Sequence, residues 1–408
     1  MKWMQRIGAA LSAWMIFGFG AVAGAEAALP AATEFPSEAA VSAAPEKDAV
    51  TVVLEQRGLE LGESTLAYPV VTGLKDAELE KAVNDRILED LRIPEYVTRI
   101  SQLISGGKLK VGWRGGVLGD VLSCAVFAEG AVSSPRTEFV WSRSNIDLQD
   151  GHEITWEELF SEPEAAREGM EAWLEETIAP ELSAHLLNGN VTPLPEAFYL
   201  TQRGPVLLYE SDQWCTLSDR AGDLLIGWDE IQDWLDLSQG SIPDRIGASG
   251  MITLTEESLG ALREMTEEGA IPSLPVRLGD SVRDAVAEWH LLIDPDLYEN
   301  GRMFSLEGGL FRGVFLLTDY LSESWENSRV DGIRLDSGCL FGLRIGQTTA
   351  AEWHQMLGEP DTSVDFDGEK AEAYRTEPGT RDYYTWGEHT LQLHADEDGI
   401  LISILLKE

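Results

Sequence analysis

Six histidines and three cysteines are the residues of this 408-residue chain best suited to metal or nucleophilic chemistry, and their spacing argues against both. No two histidines stand one helical turn apart beside a glutamate, as a zinc hydrolase requires. His290 and His354 each close the word AEWH, at 287–290 and 351–354, so they read as one structural niche filled twice rather than as partners on one ion. His389 and His394 offer no ligand spacing either. Cys124, Cys215 and Cys339 are too scattered for a zinc site or a disulfide framework; Cys124 and Cys215 could pair in an oxidising compartment, which leaves Cys339 single. Serine elbows and phosphate-cradling glycine loops are absent, and GASGM at 247–251 lacks the strand and helix that such a loop joins. Asp365, Asp367 and Gly368, like Asp396, Asp398 and Gly399, lack the downstream glutamate of a calcium loop and read as turns. The chain is therefore expected to be no enzyme, with no catalytic residue, metal or cofactor.

Charge points to a class of partner. Thirty Lys and Arg stand against 71 Asp and Glu, a net charge of −41, which disfavours nucleic acid and favours basic proteins or simple solubility. Residues 1–25 have the layout of a secretory leader: Lys2 and Arg6, an apolar run, then Ala23 and Ala25. Cleavage there is expected, with a retained anchor as the competing reading, and it would give a mature protein outside the cytoplasmic membrane. No later run is apolar over the length a membrane span needs. The Ala, Pro, Glu and Ser mixture at 26–49 reads as a disordered spacer.

The elements that must position any site begin near Val50. Strands are expected at 51–56 and 66–72. Asp76 caps a helix with Leu79, Val83, Ile87 and Leu91 on one face, and Pro94 should close it. Further strands are expected at 109–113, 121–127 and 138–148. In NIDLQDGHEITWEELF, a polar turn at 147–151 precedes a capping box of Thr155 and Glu158; Ser161 and Glu164 repeat the box ahead of a stripe of Ala166, Met170, Trp173, Leu174 and Ile178 that Pro180 should kink or end. Strands at 198–201 and 206–209 flank a turn at 202–205 in which Gly204 supplies backbone freedom, and a short helix is expected at 228–235. Seven of the chain's 13 tryptophans fall in this region, and most should pack in its core.

These words, DL..G..ITWEELF and FYLT..G.VLLYE with the closing segment, resemble the extracellular domain of RsiV-type lysozyme-binding anti-sigma factors and the module ahead of the catalytic domain in PdaC-type peptidoglycan deacetylases. The resemblance covers about 50–237 and implies an α+β, strand-rich module with packed helices. It does not bring the functions whole. Where the family carries Gly-Gly-Ala-His, this chain reads Glu129, Gly130, Ala131, Val132; only six residues precede the apolar leader, too few to hold a sigma factor, and no deacetylase ligand set is present.

Residues 238–268 read as a linker and a bracing helix at 253–267. An internal repeat follows, in 269–338 and 339–408: VRLG at 276–279 answers LRIG at 343–346, DGIRL at 331–335 answers DGILI at 398–402, and 67 residues separate Gly279 from Gly346 and Gly332 from Gly399. Each copy is expected to be a helix bearing Trp-His, a Pro-Asp loop, then antiparallel strands. GQTTAAEWHQMLGEPD resembles the repeats of β-lactamase inhibitor protein and of SmpA-type envelope lipoproteins, which implies a concave sheet face turned to a protein partner. In the hairpin turning at Gly387 and Glu388, alternation sets Tyr384, Leu391 and Leu393 on one face and Tyr383, Gln392 and His394 on the other. Tyr383, Gln392 and His394 are the candidate binding residues.

The sequence thus predicts an α+β, secreted or envelope-associated binding protein with two tandem helix-and-sheet repeats. Its expected partner is a basic extracellular protein such as lysozyme; cell-wall material, or a carbohydrate hydrolase with an unseen site, are the alternatives.

Overall fold

Alternating side chains from Val53 onward fold back at Gly62, whose φ of 64° suits a tight turn, to start a sheet. In the computed structural model, residues 33–34, 52–103, 107–131, 138–182, 193–209, 223–289, 296–298, 301–305, 312–319 and 325–408 are described. The expected leader, Cys215, His290 and nearly all of the spacer lie outside them. Strands β1 (Thr33–Glu34), β2 (Val53–Leu61), β3 (Ser64–Thr72), β4 (Lys108–Leu118), β5 (Val121–Ala131) and β6 (Glu138–Asp147) form one sheet in chain order, antiparallel except where β3 meets β4. That parallel step needs a crossover, supplied by helices α1 (Ala77–Asp90) and α2 (Ile93–Gln102). Asp76 caps α1 as expected. Pro94 does not close that helix: Arg92 turns left-handed at φ 56°, and Pro94 sits in the first turn of α2, where its missing N–H costs nothing. Val83, Ile87, Tyr96 and Ile100 pack with Leu66, Val111, Val126 and Cys124 in a first core, where Cys124 is a free thiol.

Thr155 and Glu158 form their capping box, but around a single 3-10 turn at Trp156–Leu159. Helix α3 (Pro163–Trp173) runs through a π turn at Leu174–Ile178 into α4 (Ala179–Leu182), so Pro180 does not end it. A proline clashes with the carbonyl four residues back, and the wider π turn just before it accommodates the clash. The hairpin of β7 (Phe198–Thr201) and β8 (Gly204–Leu208) turns on Gln202 and Arg203, with β9 (Asp223–Leu225) alongside. Gly204 therefore lies in a strand rather than in the turn. A Cβ there would stand 1.8 Å from the Ile226 carbonyl oxygen, so the glycine permits close backbone approach. Residues 228–235 form turns instead of the expected helix, pinned by buried Trp228, whose indole donates to the Gln202 carbonyl at 3.0 Å.

The stretch read as a linker is folded. Helices α5 (Ile242–Arg245), α6 (Ala248–Ile252) and α7 (Glu256–Glu268) place Ile242, Met251, Leu262 and Met265 in a second core that also holds Val121, Phe198 and Leu406. Residues from Thr33 to Glu408 make one compact unit.

The last 140 residues add α8 (Val282–Trp289), β10 (Asp296–Tyr298), β11 (Gly301–Ser305), β12 (Val314–Asp319), β13 (Gly332–Leu335), the small ladder β14 (Cys339–Leu340) with β15 (Leu343–Arg344), α9 (Ala350–Leu357), β16 (Thr362–Phe366), α10 (Gly368–Tyr374), β17 (Gly379–Trp386), β18 (His389–Ala395) and β19 (Leu401–Lys407). Eight of these strands form one antiparallel sheet in the order β10-β11-β12-β13-β19-β18-β17-β16. The order is symmetric about the β13–β19 pairing, with a helix followed by a four-stranded meander on each side. That is the arrangement a tandem helix-and-sheet repeat produces.

Arg245, at the end of α5, ties the first sheet to the helices α5 to α7. Its Nη1 and Nη2 donate to Asp147 at 2.7 and 2.8 Å, and its Nε donates to Asp120 at 2.9 Å. Burial pushes the Asp147 carboxyl up, but the Arg245 and Gln149 N–H donors outweigh it and hold the group below the usual carboxylate range. Arg245→Met should cost about 3–5 kcal/mol in urea denaturation, because it strands a buried carboxylate. The wild-type contribution is present above the ordinary carboxylate range and is lost as pH falls through the lowered native value, so the gap between variant and wild type should shrink on acidification. A gap that does not change with pH would contradict this role.

Candidate functional site

The two faces of the eight-stranded sheet are chemically different. Register pairs Tyr383 with Gln392, Arg381 with His394, and Arg334 with Leu405, so these residues share one face, while Tyr384, Leu391, Leu393 and Ile404 share the other. The expected alternation of Tyr383, Gln392 and His394 is present. Their exposure differs from the expectation: Gln392 and His394 are buried at 6% and 1%, and Tyr383 alone of the three is part-exposed.

What buries them is the curl of the sheet. Tyr298 on β10 and Arg381 on β17 stand six strand spacings apart, roughly 29 Å in a flat sheet. Yet the Arg381 Nη2 donates to the Tyr298 hydroxyl at 3.1 Å and to Thr376 Oγ1 at 2.7 Å, and it lies 3.1 Å from His394 Nδ1. No two side chains span 29 Å, so the sheet rolls until its outer strands meet across this face. The Arg334 guanidinium stacks 4.6 Å over the Tyr298 ring, donates to Glu377 at 3.0 Å and bonds Asp336. Burial opposes its charge, but Tyr298, Asp336 and Glu377 raise its pKa further than burial lowers it. Arg381 stacks 4.9 Å over Phe366. The concave face implied by the inhibitor-type resemblance is closed here by cations, aromatic rings and their acceptors.

The Trp-His word of the second copy has a structural explanation. Asp382 is buried on the apolar face of the sheet, and its Oδ2 accepts the Trp353 indole N–H at 3.0 Å and the His354 Nε2–H at 2.6 Å, both from α9. Adjacent tryptophan and histidine satisfy Oδ2 of that carboxylate, while its Oδ1 is buried without a hydrogen-bond partner. His389 Nδ1 lies 3.0 Å from the Thr266 carbonyl, at the C-terminal end of α7. Asp367 caps α10, and Asp396 accepts backbone N–H groups from Asp398 and Ile400, so the calcium-like words end as a cap and a turn.

One cluster escaped the sequence reading. Asp147, Asp150 and His152 bring one ligand atom each within 4.8 Å of one another. His152 Nδ1 lies 2.7 Å from Asp150 and Nε2 lies 3.0 Å from Glu158, while both Asp147 oxygens accept from Arg245. These groups fit a metal poorly, because the guanidinium already provides the cation that Asp147 faces, and each ring nitrogen is engaged by a carboxylate. The arrangement suits an imidazolium. Its signal was present in the D-x-x-D-G-H spacing, which reads equally well as a polar turn, whereas Arg245 sat in a stretch with linker composition.

No family model matches the chain, and none of the curated proteins matches it. Solved structures are similar in part, among them these three. A member of the DUF3298 family from Bacteroides fragilis is 12% identical with a TM-score of 0.36, over 48% of this chain and 95% of its own. A DUF3298 family protein from Pseudomonas aeruginosa is 8% identical with a TM-score of 0.32, over 46% and 93%. A DUF4309 family protein from Bacillus subtilis is 13% identical with a TM-score of 0.27, over 37% and 95%. These family names state no activity.

The hydrogen bond to Asp150 raises the His152 pKa above the ordinary 6.5; desolvation opposes it and Glu158 adds to it. What the charged ring contributes to stability is therefore complete below 6.5 and is lost as pH rises through the raised native value. NMR titration of His152 should give a midpoint above 6.5, and Glu158→Gln should lower it; a midpoint at or below 6.5 in the wild type would show that the carboxylates do not hold the proton.

Proposed function

We propose that this chain is an extracytoplasmic, non-enzymatic binding protein whose partner is a basic protein, with lysozyme the first candidate. The observation that carries the reading is the acidic edge of the last repeat. Around β16, one of the two edge strands of its sheet among the described residues, Glu359, Asp361, Asp365, Asp367, Glu369 and Glu372 are exposed, against the cations Lys370 and Arg375. Lys370 is partly spent, since its Nζ donates to the Asp365 carbonyl at 2.9 Å and sits over the Phe366 ring. Tyr374, 44% exposed, and Tyr383, which pairs with Thr362 of β16, set aromatic surface among these carboxylates. Carboxylates around amphipathic rings suit a surface rich in Lys and Arg. The net charge of −41 adds a long-range field of the same sign, and the first module's resemblance to lysozyme-binding domains supplies the named partner.

Retention of the purified protein on immobilised lysozyme and on purified cell wall, across a salt series, tests the proposal. Lysozyme should be bound at low salt, with affinity falling about tenfold or more toward physiological ionic strength and above. Asp361→Lys with Asp365→Lys should weaken retention further without unfolding the chain. Salt-insensitive retention on cell wall alone would favour a peptidoglycan-associated role, and release of sugars from the wall would favour a hydrolase; retention on neither removes the binding reading.

A further inference from the structure

Strand β16 is paired on one side only. Thr362 to Phe366 lie along β17 from Tyr383 to Gly379, and among the described residues no strand lies on the other side. One hydrogen bond fixes where each backbone group points. The Tyr383 carbonyl faces β16, since it accepts the Asp361 N–H there at 2.9 Å. Backbone groups alternate in direction along a strand, so Tyr383, Arg381 and Gly379 face β16 and engage Thr362, Val364 and Phe366. Ser363 and Asp365 therefore turn their N–H and C=O groups to the open side. The Lys370 ammonium agrees with that direction, because it reaches the Asp365 carbonyl at 2.9 Å.

This edge can be reached from solvent. Thr362, Ser363 and Asp365 are exposed, whereas the opposite edge strand, β10, is three residues long and ends in buried Tyr298. An unpaired edge is a template for an extended chain, which meets its donors and acceptors at regular spacing. The side chains decide which chain fits. Glu359 and Asp361 precede the strand and Asp365 and Asp367 lie at its end, all four exposed. Ser363 and Asp365 share one face, where Asp365 Oδ1 accepts from Thr380 Oγ1 at 2.9 Å, and uncharged Thr362 and Val364 share the other. An added strand places its own side chains on the same two faces. Basic residues suit the side of Asp365, and apolar ones suit the side of Val364. The Asp365 carbonyl oxygen has two lone pairs, so it can accept an incoming N–H beside Lys370.

We infer that the open edge of β16 takes up an extended basic segment of the partner as a further strand of the sheet. The inference rests on the basic-partner reading and gives it a binding mode. Main-chain hydrogen bonds to Ser363 and Asp365 hold the segment, and the carboxylates at the two ends of the strand select Lys and Arg at alternate positions along it.

The test uses the whole protein and a short labelled peptide that alternates Lys and Val, against the same peptide N-methylated along its central residues. N-methylation keeps every charge and removes the backbone donors. Fluorescence anisotropy should show saturable binding of the unmodified peptide and binding about tenfold or more weaker for the methylated one, which loses several hydrogen bonds. Ser363→Pro should weaken the unmodified peptide in the same direction, because it deletes one outward N–H. Proline is tolerated on an edge strand where its missing N–H would face solvent, and a thermal melt checks that the variant folds. The peptide comparison leaves the protein unaltered, so its result stands even where Ser363→Pro folds poorly. Equal affinity for the two peptides, or unchanged affinity in a folded Ser363→Pro, would overturn strand addition and leave charge alone as the basis of the basic-partner reading. No peptide binding while lysozyme is still retained would overturn strand addition as well; loss of both would remove the basic-partner reading with it.

Discussion

The antiparallel pairing of Gly332–Leu335 with Leu401–Lys407 is the constraint on which the C-terminal half depends. Each copy of the repeat alone would be a four-stranded meander with an open edge at its last strand, and such edges invite unplanned pairing. Joining the two last strands removes both edges and creates one sheet long enough to curl. The curl then sets the chemistry of each face. One face packs Leu316, Ile333, Leu393, Ile404 and Leu406 into the core with Trp353 of α9, and the concave face closes over Arg334 and Arg381.

Closing a face over cations is costly unless each finds a partner, because desolvation of a charge exceeds what one weak contact returns. The partners come from both copies. Tyr298 belongs to the first and Thr376, Glu377 and Gln392 to the second, so the charge network spans the repeat boundary. Arg245 does the same between the first sheet and the helices after it, through Asp120 and Asp147. Charge-assisted bonds between distant segments fix geometry that apolar packing alone leaves free to slide.

What was legible in the sequence was local. The α1 stripe, the Thr155 and Glu158 box, the β17–β18 hairpin and its facing pattern all follow from spacings within about a dozen residues, and the structure has each of them. The helix-and-sheet repeat was legible because its anchors recur with one period. Burial of Gln392 and His394 was not, since Tyr298, whose hydroxyl meets their neighbour Arg381, lies more than 80 positions from that arginine and reaches it only after the sheet has rolled. Pro94 and Gly204 take roles other than those expected for a related reason. Each has several permitted roles, and the neighbour that selects among them, such as the Ile226 carbonyl beside Gly204, is remote in sequence. Arg245 carried no signal, because one arginine in a stretch of linker composition looks like any solvated cation.

If the β13–β19 pairing governs the C-terminal half, the two copies must behave as a single cooperative sheet. Native-state hydrogen exchange of the backbone amides in β13 and β19 tests this most directly. The amides that form the central ladder, around Ile333 to Leu335 and Ile404 to Leu406, should share the highest protection and open together with β17 and β18. Rapid exchange of β11 to β13 while β17 to β19 stay protected would mean that the copies unfold separately, and the central claim would fail.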